Sequence, residues 1–76
     1  MSVKIILFGN LSDIAGGSVS VGNVADTDSL VDSLNKRYPK LATTKYVIAV
    51  DKQVITENTV LNKKSTVALL PPFSGG

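Results

Sequence analysis

The residues best suited to chemistry in this chain are two consecutive glycines, Gly75 and Gly76, which follow the segment PPFS. Because glycine has no side chain, such a pair can pass through a narrow channel and bring the backbone close to a ligand. Pro71 and Pro72 fix their own φ angles and stiffen the base of the segment. Fully extended, this segment reaches roughly 20 Å, which suits insertion of a terminal carboxylate into another protein's active site. The competing interpretation is a frayed chain end without a role.

The side chains used most often in catalysis are missing. The chain has no histidine and no cysteine, so no Ser-His or Cys-His pair can form and a transition metal would find no imidazole or thiolate ligand. No glycine-rich phosphate loop of the GxxxxGK or GxGxxG type occurs. Asp26 and Asp28 could act as a carboxylate pair, but helix capping explains both. We therefore predict no metal site, no bound cofactor and no catalysis by the chain alone.

The composition indicates one small globular domain. Of its 76 residues, 43% are hydrophobic, and a chain of this size buries about 60% of the surface that its unfolded form exposes. The absence of cysteine suits a reducing compartment. The longest apolar runs are too short for a membrane span, and the run IILF after Lys4 ends at once in GNLSD, unlike a signal peptide. We expect a cytoplasmic protein without a membrane partner.

The basic residues are scattered along the chain and give a net charge of only +2. The densest basic spots are Lys36-Arg37 and Lys63-Lys64, and no aromatic residues that could stack on bases lie between them. We therefore expect no nucleic-acid partner.

Hydrophobic alternation predicts a hairpin at the start of the chain. Both faces of the segment 3–8 carry apolar side chains, so we predict a strand that is buried on much of both sides. The segment 18–21 alternates cleanly, with Val19 and Val21 pointing inward. An irregular connection that ends in a Gly-Gly turn joins the two strands.

A helix is predicted next, capped by Asp26 or Asp28. Its apolar stripe has helical spacing and consists of Leu30, Val31, Leu34 and Tyr38. Pro39 should end the helix, because the residue before a proline is pushed out of helical geometry. The following segment, 40–45, is predicted to be a link.

Three further strands are predicted at 46–50, 53–55 and 66–70, with a tight turn at Asp51-Lys52 between the first two. The polar loop before the last strand should be anchored by Val60 and Leu61, and Pro71 ends that strand because proline cannot donate to the ladder. The expected fold class is α+β. A mixed sheet of about five strands has one main helix packed on one face, which is the β-grasp or ubiquitin-like arrangement. We expect a β-grasp domain over residues 1–70 and a flexible Gly-Gly tail over residues 71–76.

Several stretches resemble the small subunits of molybdopterin synthase, a family of ubiquitin-like sulfur carriers. They are Lys4 with the following LFGNL, the helix that ends in Tyr38-Pro39, the strand residues AV before a turn and, most specifically, ALLPPFSGG. The resemblance covers essentially the whole chain.

This resemblance implies a mechanism that needs no catalytic side chain. An E1-like activating enzyme would use ATP to adenylate the carboxylate of Gly76, and a sulfur donor would convert the acyl-adenylate to a thiocarboxylate. The tail would then enter the large synthase subunit, in an expected heterotetramer, and donate sulfur to a cyclic pterin precursor of the molybdenum cofactor. The residues expected to line the tail's passage are Leu70, Pro71, Pro72, Phe73, Ser74 and Gly75. Phe8 is a candidate for an apolar patch that meets the partners, and its alternative place is in the core.

The chain departs from the family pattern at Ser12-Asp13, at Asp51 and at Lys64-Ser65, and it is basic where many members are acidic. Three alternatives stay open: a sulfur carrier for thiazole synthesis or another thiolation pathway, a ubiquitin-like protein modifier, and an interaction module whose tail has no function.

Overall fold

The computed structural model describes residues 2–72. The predictions for Phe73, Ser74, Gly75 and Gly76 concern residues outside this range. Five strands and three helices follow one another along the chain. They are β1 (Ser2–Leu7), α1 (Leu11–Ala15), β2 (Ser18–Gly22), α2 (Thr27–Arg37), α3 (Pro39–Ala42), β3 (Val47–Val50), β4 (Gln53–Ile55) and β5 (Thr66–Leu70).

The strands form one mixed sheet in the order β2-β1-β5-β3-β4. Strands β1 and β5 are parallel, whereas the other neighbouring pairs are antiparallel. A parallel pair needs a long crossover connection, and the chain between β1 and β5, which contains α2, provides it. The central strand is therefore β5, the strand that leads into the predicted tail.

The core lies between one face of the sheet and α2. In β1 the residues Val3, Ile5 and Leu7 are buried, and they belong to the same apolar cluster as Leu30 and Leu34 of α2. Helix α2 begins after Asp26, whose carboxylate accepts a hydrogen bond of 2.9 Å from the Ser29 N–H. The predicted main helix, its cap and its end before Pro39 are confirmed.

The opposite face of β1 is not buried, so the prediction of burial on both sides is wrong. Lys4 is exposed and Ile6 is half-buried, while Phe8, just beyond the strand, keeps 46% of its surface exposed. The helices of the described chain pack on the other face, and this open face stays accessible.

Two short helices were missed by the sequence analysis. Helix α1 replaces the expected irregular connection, and α3 replaces the expected link, where Pro39 occupies the first turn as a favourable N-terminal residue. Each is anchored by one fully buried leucine, Leu11 or Leu41. Helices of four or five residues are too short to show a hydrophobic period.

The polar loop before β5 is anchored by one of its two predicted residues. Leu61 is buried at 4% exposure, whereas Val60 is 80% exposed. The backbone explains the difference, because Thr27 N–H donates to the Thr59 carbonyl and Leu61 N–H donates to the Ala25 carbonyl. In this extended pairing successive side chains point to opposite sides, so Val60 faces solvent.

Candidate functional site

The chain leaves the sheet at the end of its central strand. Leu70 is the last residue of β5 and pairs with Val47 of β3. Leu70 and Pro71 are half-buried, and Pro72 is exposed. The two prolines therefore stand where the predicted tail begins, fixed on one side by a strand that has a hydrogen-bonded neighbour on each edge. The role of the residues beyond Pro72 stays a prediction.

The structure places Phe8 beside this exit point. The Phe8 N–H donates a 3.0 Å hydrogen bond to the Leu69 carbonyl, which continues the pairing of β1 with β5 by one residue. Two features that the sequence suggested separately, an exposed aromatic residue and the base of the tail, are thus neighbours in the fold.

A shallow groove of about 400 Å³ runs along the open face of the sheet. Its lining residues come from β1, β3, β5 and the turn after β3: Ile6, Phe8, Ala49, Asp51, Lys52, Thr66, Val67 and Ala68. In its middle Ile6, Ala68 and Ala49 lie side by side across three strands. The small alanine side chains lower the floor of the groove, and Phe8 lies at the end nearest the exit of the chain.

The other end of the groove is polar and includes one cation. Asp51 and Lys52 form the turn after β3 with φ angles of 50° and 70°, the left-handed geometry typical of a two-residue hairpin. The Asp51 carboxylate accepts a 3.0 Å hydrogen bond from the Thr66 N–H, so it has a structural role. Lys52 lines the groove, and the exposed Lys4 pairs with Thr66 in the β1–β5 ladder.

The Asp26 carboxylate, just before α2, is part of the fold and does not line this groove. Asp26 accepts hydrogen bonds from the Ser29 N–H and from Asn58 Nδ2. The side chain of Ser29, its backbone N–H and the Asn58 amide together lower the pKa of Asp26 from its ordinary value of 3.8. On the same side of the sheet, burial raises the pKa of Tyr46.

No group of three or more His, Cys, Asp or Glu side chains that could hold a metal ion occurs among residues 2–72. Within the same range no helix has the length and apolar character needed to cross a membrane. The described surface offers an apolar groove and a stiff exit for the chain, which are features of docking and presentation.

The sequence predicted roles for Phe8, Leu70, Pro71 and Pro72, and these roles stay predictions, whereas the rest of the groove was not predicted. The alternation in β1 and β5 contained the signal, because every second residue of each strand had to share a face. The pairing register that aligns Ile6, Ala68 and Ala49 could not be predicted from any one of the three strands alone.

Comparisons with known proteins agree with this architecture. A family model described as the ThiS family matches residues 5–76. The chain is 22% identical over 81 residues to the molybdopterin synthase sulfur carrier subunit of Arabidopsis thaliana, and the match covers 100% of this chain and 84% of that protein.

Two solved structures have the same fold. Small archaeal modifier protein 1 of Methanosarcina acetivorans superposes with a TM-score of 0.82 at 23% identity, covering 99% of this chain and 96% of that one. The protein-protein complex of subunits 1 and 2 of the molybdopterin-converting factor from Helicobacter pylori contains a chain with a TM-score of 0.73 at 25% identity, covering 100% of each. The predicted β-grasp fold class is confirmed.

Proposed function

This chain belongs to the ThiS family, as the resemblance in its sequence predicted, and we propose that it is a sulfur carrier for the synthesis of molybdopterin. The observation that carries the proposal is the family match over residues 5–76, which includes the segment LLPPFSGG. The described structure supports it, because Pro71 and Pro72 stand at the end of the central strand, beside an open apolar groove.

The proposed chemistry takes place on the carboxylate of Gly76. An activating enzyme joins this carboxylate to the AMP part of ATP and releases pyrophosphate, which replaces a poor leaving group by a good one. A donor that supplies sulfur at the oxidation level of sulfide then displaces AMP and leaves a thiocarboxylate. The carrier contributes presentation and positioning of the sulfur atom, which requires neither histidine nor cysteine in the chain.

We propose that the tail, residues 71–76, enters a larger synthase subunit in the cytoplasm, while the domain formed by residues 1–70 docks on its surface. The related H. pylori structure is a complex of two different subunits, which supports a partner of this kind, and we propose that the two subunits assemble as a heterotetramer. Phe8 and the groove beside it provide the docking surface, and Gly75 gives the tail the clearance to pass a narrow channel.

Shortening or lengthening the tail tests this proposal. Deletion of Gly75 and Gly76, or addition of one residue after Gly76, is expected to abolish sulfur transfer to the pterin precursor while the far-UV circular dichroism and the unfolding midpoint stay those of the wild type. Insertion of one residue into the loop at Lys63 is the matched control for chain length. Normal sulfur transfer by the extended protein would overturn the proposal.

A protein modifier is the second candidate, because the same fold occurs in small archaeal modifier protein 1. In that case Gly76 forms an isopeptide bond with lysines of target proteins. Conjugates of higher mass that contain this chain, and that vanish when Gly76 is deleted, would favour this candidate. A pterin-binding partner that co-purifies without such conjugates would favour the sulfur carrier.

A further inference from the structure

Gly9 provides the surface on which Pro71 rests. Gly9 has a φ angle of +60°, and a Cβ atom at this position would lie 2.7 Å from Cγ and 3.6 Å from Cδ of Pro71. A carbon–carbon distance of 2.7 Å is far below the optimal contact separation of about 3.5–4.0 Å. Because the pyrrolidine ring is closed onto the backbone, its Cγ can shift only slightly, by a change of ring pucker, before the chain itself must move.

Gly9 itself is held from two sides. On one side the Phe8 N–H is bonded to the Leu69 carbonyl of β5 at 3.0 Å. On the other side the Gly9 carbonyl accepts hydrogen bonds from the N–H and the Oγ of Ser12, at 3.2 Å and 2.8 Å. Helix α1, which contains Ser12, is fixed in turn by the buried Leu11. A side chain at position 9 would therefore displace Pro71 more readily than Gly9.

We propose that Gly9 is a positioning residue for sulfur transfer, because its bare Cα sets the direction in which the chain leaves β5. The inference rests on the proposed function, and Gly9 touches no reacting atom. A Cβ at position 9 displaces Pro71, the residue at which the proposed tail begins. Displacement of a reacting group by about 1 Å can cost about 100-fold in rate, so the thiocarboxylate of a redirected tail reaches the partner's active site poorly.

Gly16 offers a matched control for the backbone strain. It also has a positive φ, +88°, but a Cβ there would meet nothing within 4 Å. Gly16→Ala therefore introduces an unfavourable positive φ without a clash, whereas Gly9→Ala introduces a positive φ together with a clash. Pro71→Ala removes Cγ and Cδ, the two atoms that the new Cβ would meet, so the double variant Gly9→Ala/Pro71→Ala relieves the clash.

The test compares the wild type, the three single variants and the double variant. The rate of sulfur transfer to the pterin precursor in the large subunit is measured with each carrier already thiocarboxylated, at a temperature where circular dichroism shows the carrier folded. We expect Gly9→Ala to lose about 10-fold to 100-fold in rate and Gly16→Ala to stay close to the wild type. The double variant should match Pro71→Ala. If Gly9→Ala does not fold, Gly9→Asn replaces it, because asparagine tolerates positive φ and carries the same Cβ.

Equal rates for folded Gly9→Ala and Gly16→Ala, or a double variant as slow as the product of its two single losses, would overturn the inference. The proposed function has a separate readout, because a wild-type chain that accepts no sulfur contradicts it. If the wild type accepts no sulfur, the Gly9–Pro71 contact is tested by urea unfolding of the same variants. Non-additive midpoints support the Gly9–Pro71 contact, and additive midpoints overturn it.

Discussion

Single residues in this chain act mostly through the backbone conformation that they permit. Gly9 combines a positive φ with a close approach to Pro71. The Asp51 carboxylate accepts a hydrogen bond from the backbone N–H of Thr66 in β5, so its role is structural. Asp26 is the clearest titratable case. Its carboxylate joins the first turn of α2 to Asn58 in the loop between β4 and β5, so its protonation state is coupled to the fold.

The lowered pKa of Asp26 predicts a loss of stability in acid. Because the folded-state pKa lies below the ordinary value of 3.8, the stabilisation is present above that value and is lost as the pH falls through the folded-state pKa. We expect the unfolding midpoint in urea to fall more steeply over this acidic range for the wild type than for Asp26→Asn. Val60→Ala, a truncation of an exposed side chain without an ionisable group, should keep the wild-type pH profile. Parallel profiles for the wild type and Asp26→Asn would contradict the coupling.

At the scale of elements, the two short helices make larger contributions than their length suggests. Leu41 of α3 has 1% of its surface exposed, whereas Val60 is 80% exposed. We expect Leu41→Ala to lower the free energy of unfolding by about 2–5 kcal/mol, since it opens a cavity in the core. Val60→Ala should change it by less than about 0.5 kcal/mol. Denaturant unfolding of both variants measures this, and a small effect of Leu41→Ala would place α3 outside the core.

The helices and strands that could be predicted from the sequence are those with a regular spacing of apolar residues or with a proline at their end. Alternation located the strands, the stripe from Leu30 to Tyr38 located α2, and Pro39 and Pro71 marked ends. What could not be predicted depends on tertiary contacts. The α1 turn is folded by the burial of Leu11, and the exposure of Val60 follows from backbone pairing of its loop with the residues before α2.

The candidate site divides in the same way. The tail residues and Phe8 were visible from residue type and family resemblance. The groove was not, because its floor consists of ordinary Ala and Ile residues that become neighbours only through the register of three strands. The importance of Gly9 was not predicted, because the atoms that its missing side chain leaves room for belong to Pro71, far along the chain.

At the scale of the whole molecule, the two faces of the sheet have different roles. One face is closed by α2 and holds the core, and the other is open and carries an apolar groove that ends near the chain's exit. A surface of this kind can bind a partner while the tail enters that partner's active site. Under the proposed function, the chain supplies binding and presentation, and its partners supply the chemistry.

The open face predicts a binding defect that leaves folding intact. We expect Phe8→Ala to weaken binding to the large subunit by about tenfold or more, because aromatic anchors carry much of an interface's energy. Its unfolding midpoint should change little, since 46% of Phe8 is already exposed. Val60→Ala, a truncation of another exposed apolar side chain, is the control. Calorimetric titration measures both, and unchanged affinity for Phe8→Ala would exclude this face from the interface.

The most direct measurement is the intact mass of the wild-type chain after incubation with its activating enzyme, ATP and a sulfur donor. The account predicts a species heavier by the difference between one sulfur and one oxygen atom, with the extra mass localised to Gly76 by fragmentation. It also predicts that this species disappears when ATP is omitted. A single unmodified mass in the complete reaction, with the same enzyme active on another carrier, would contradict the central claim that Gly76 carries sulfur.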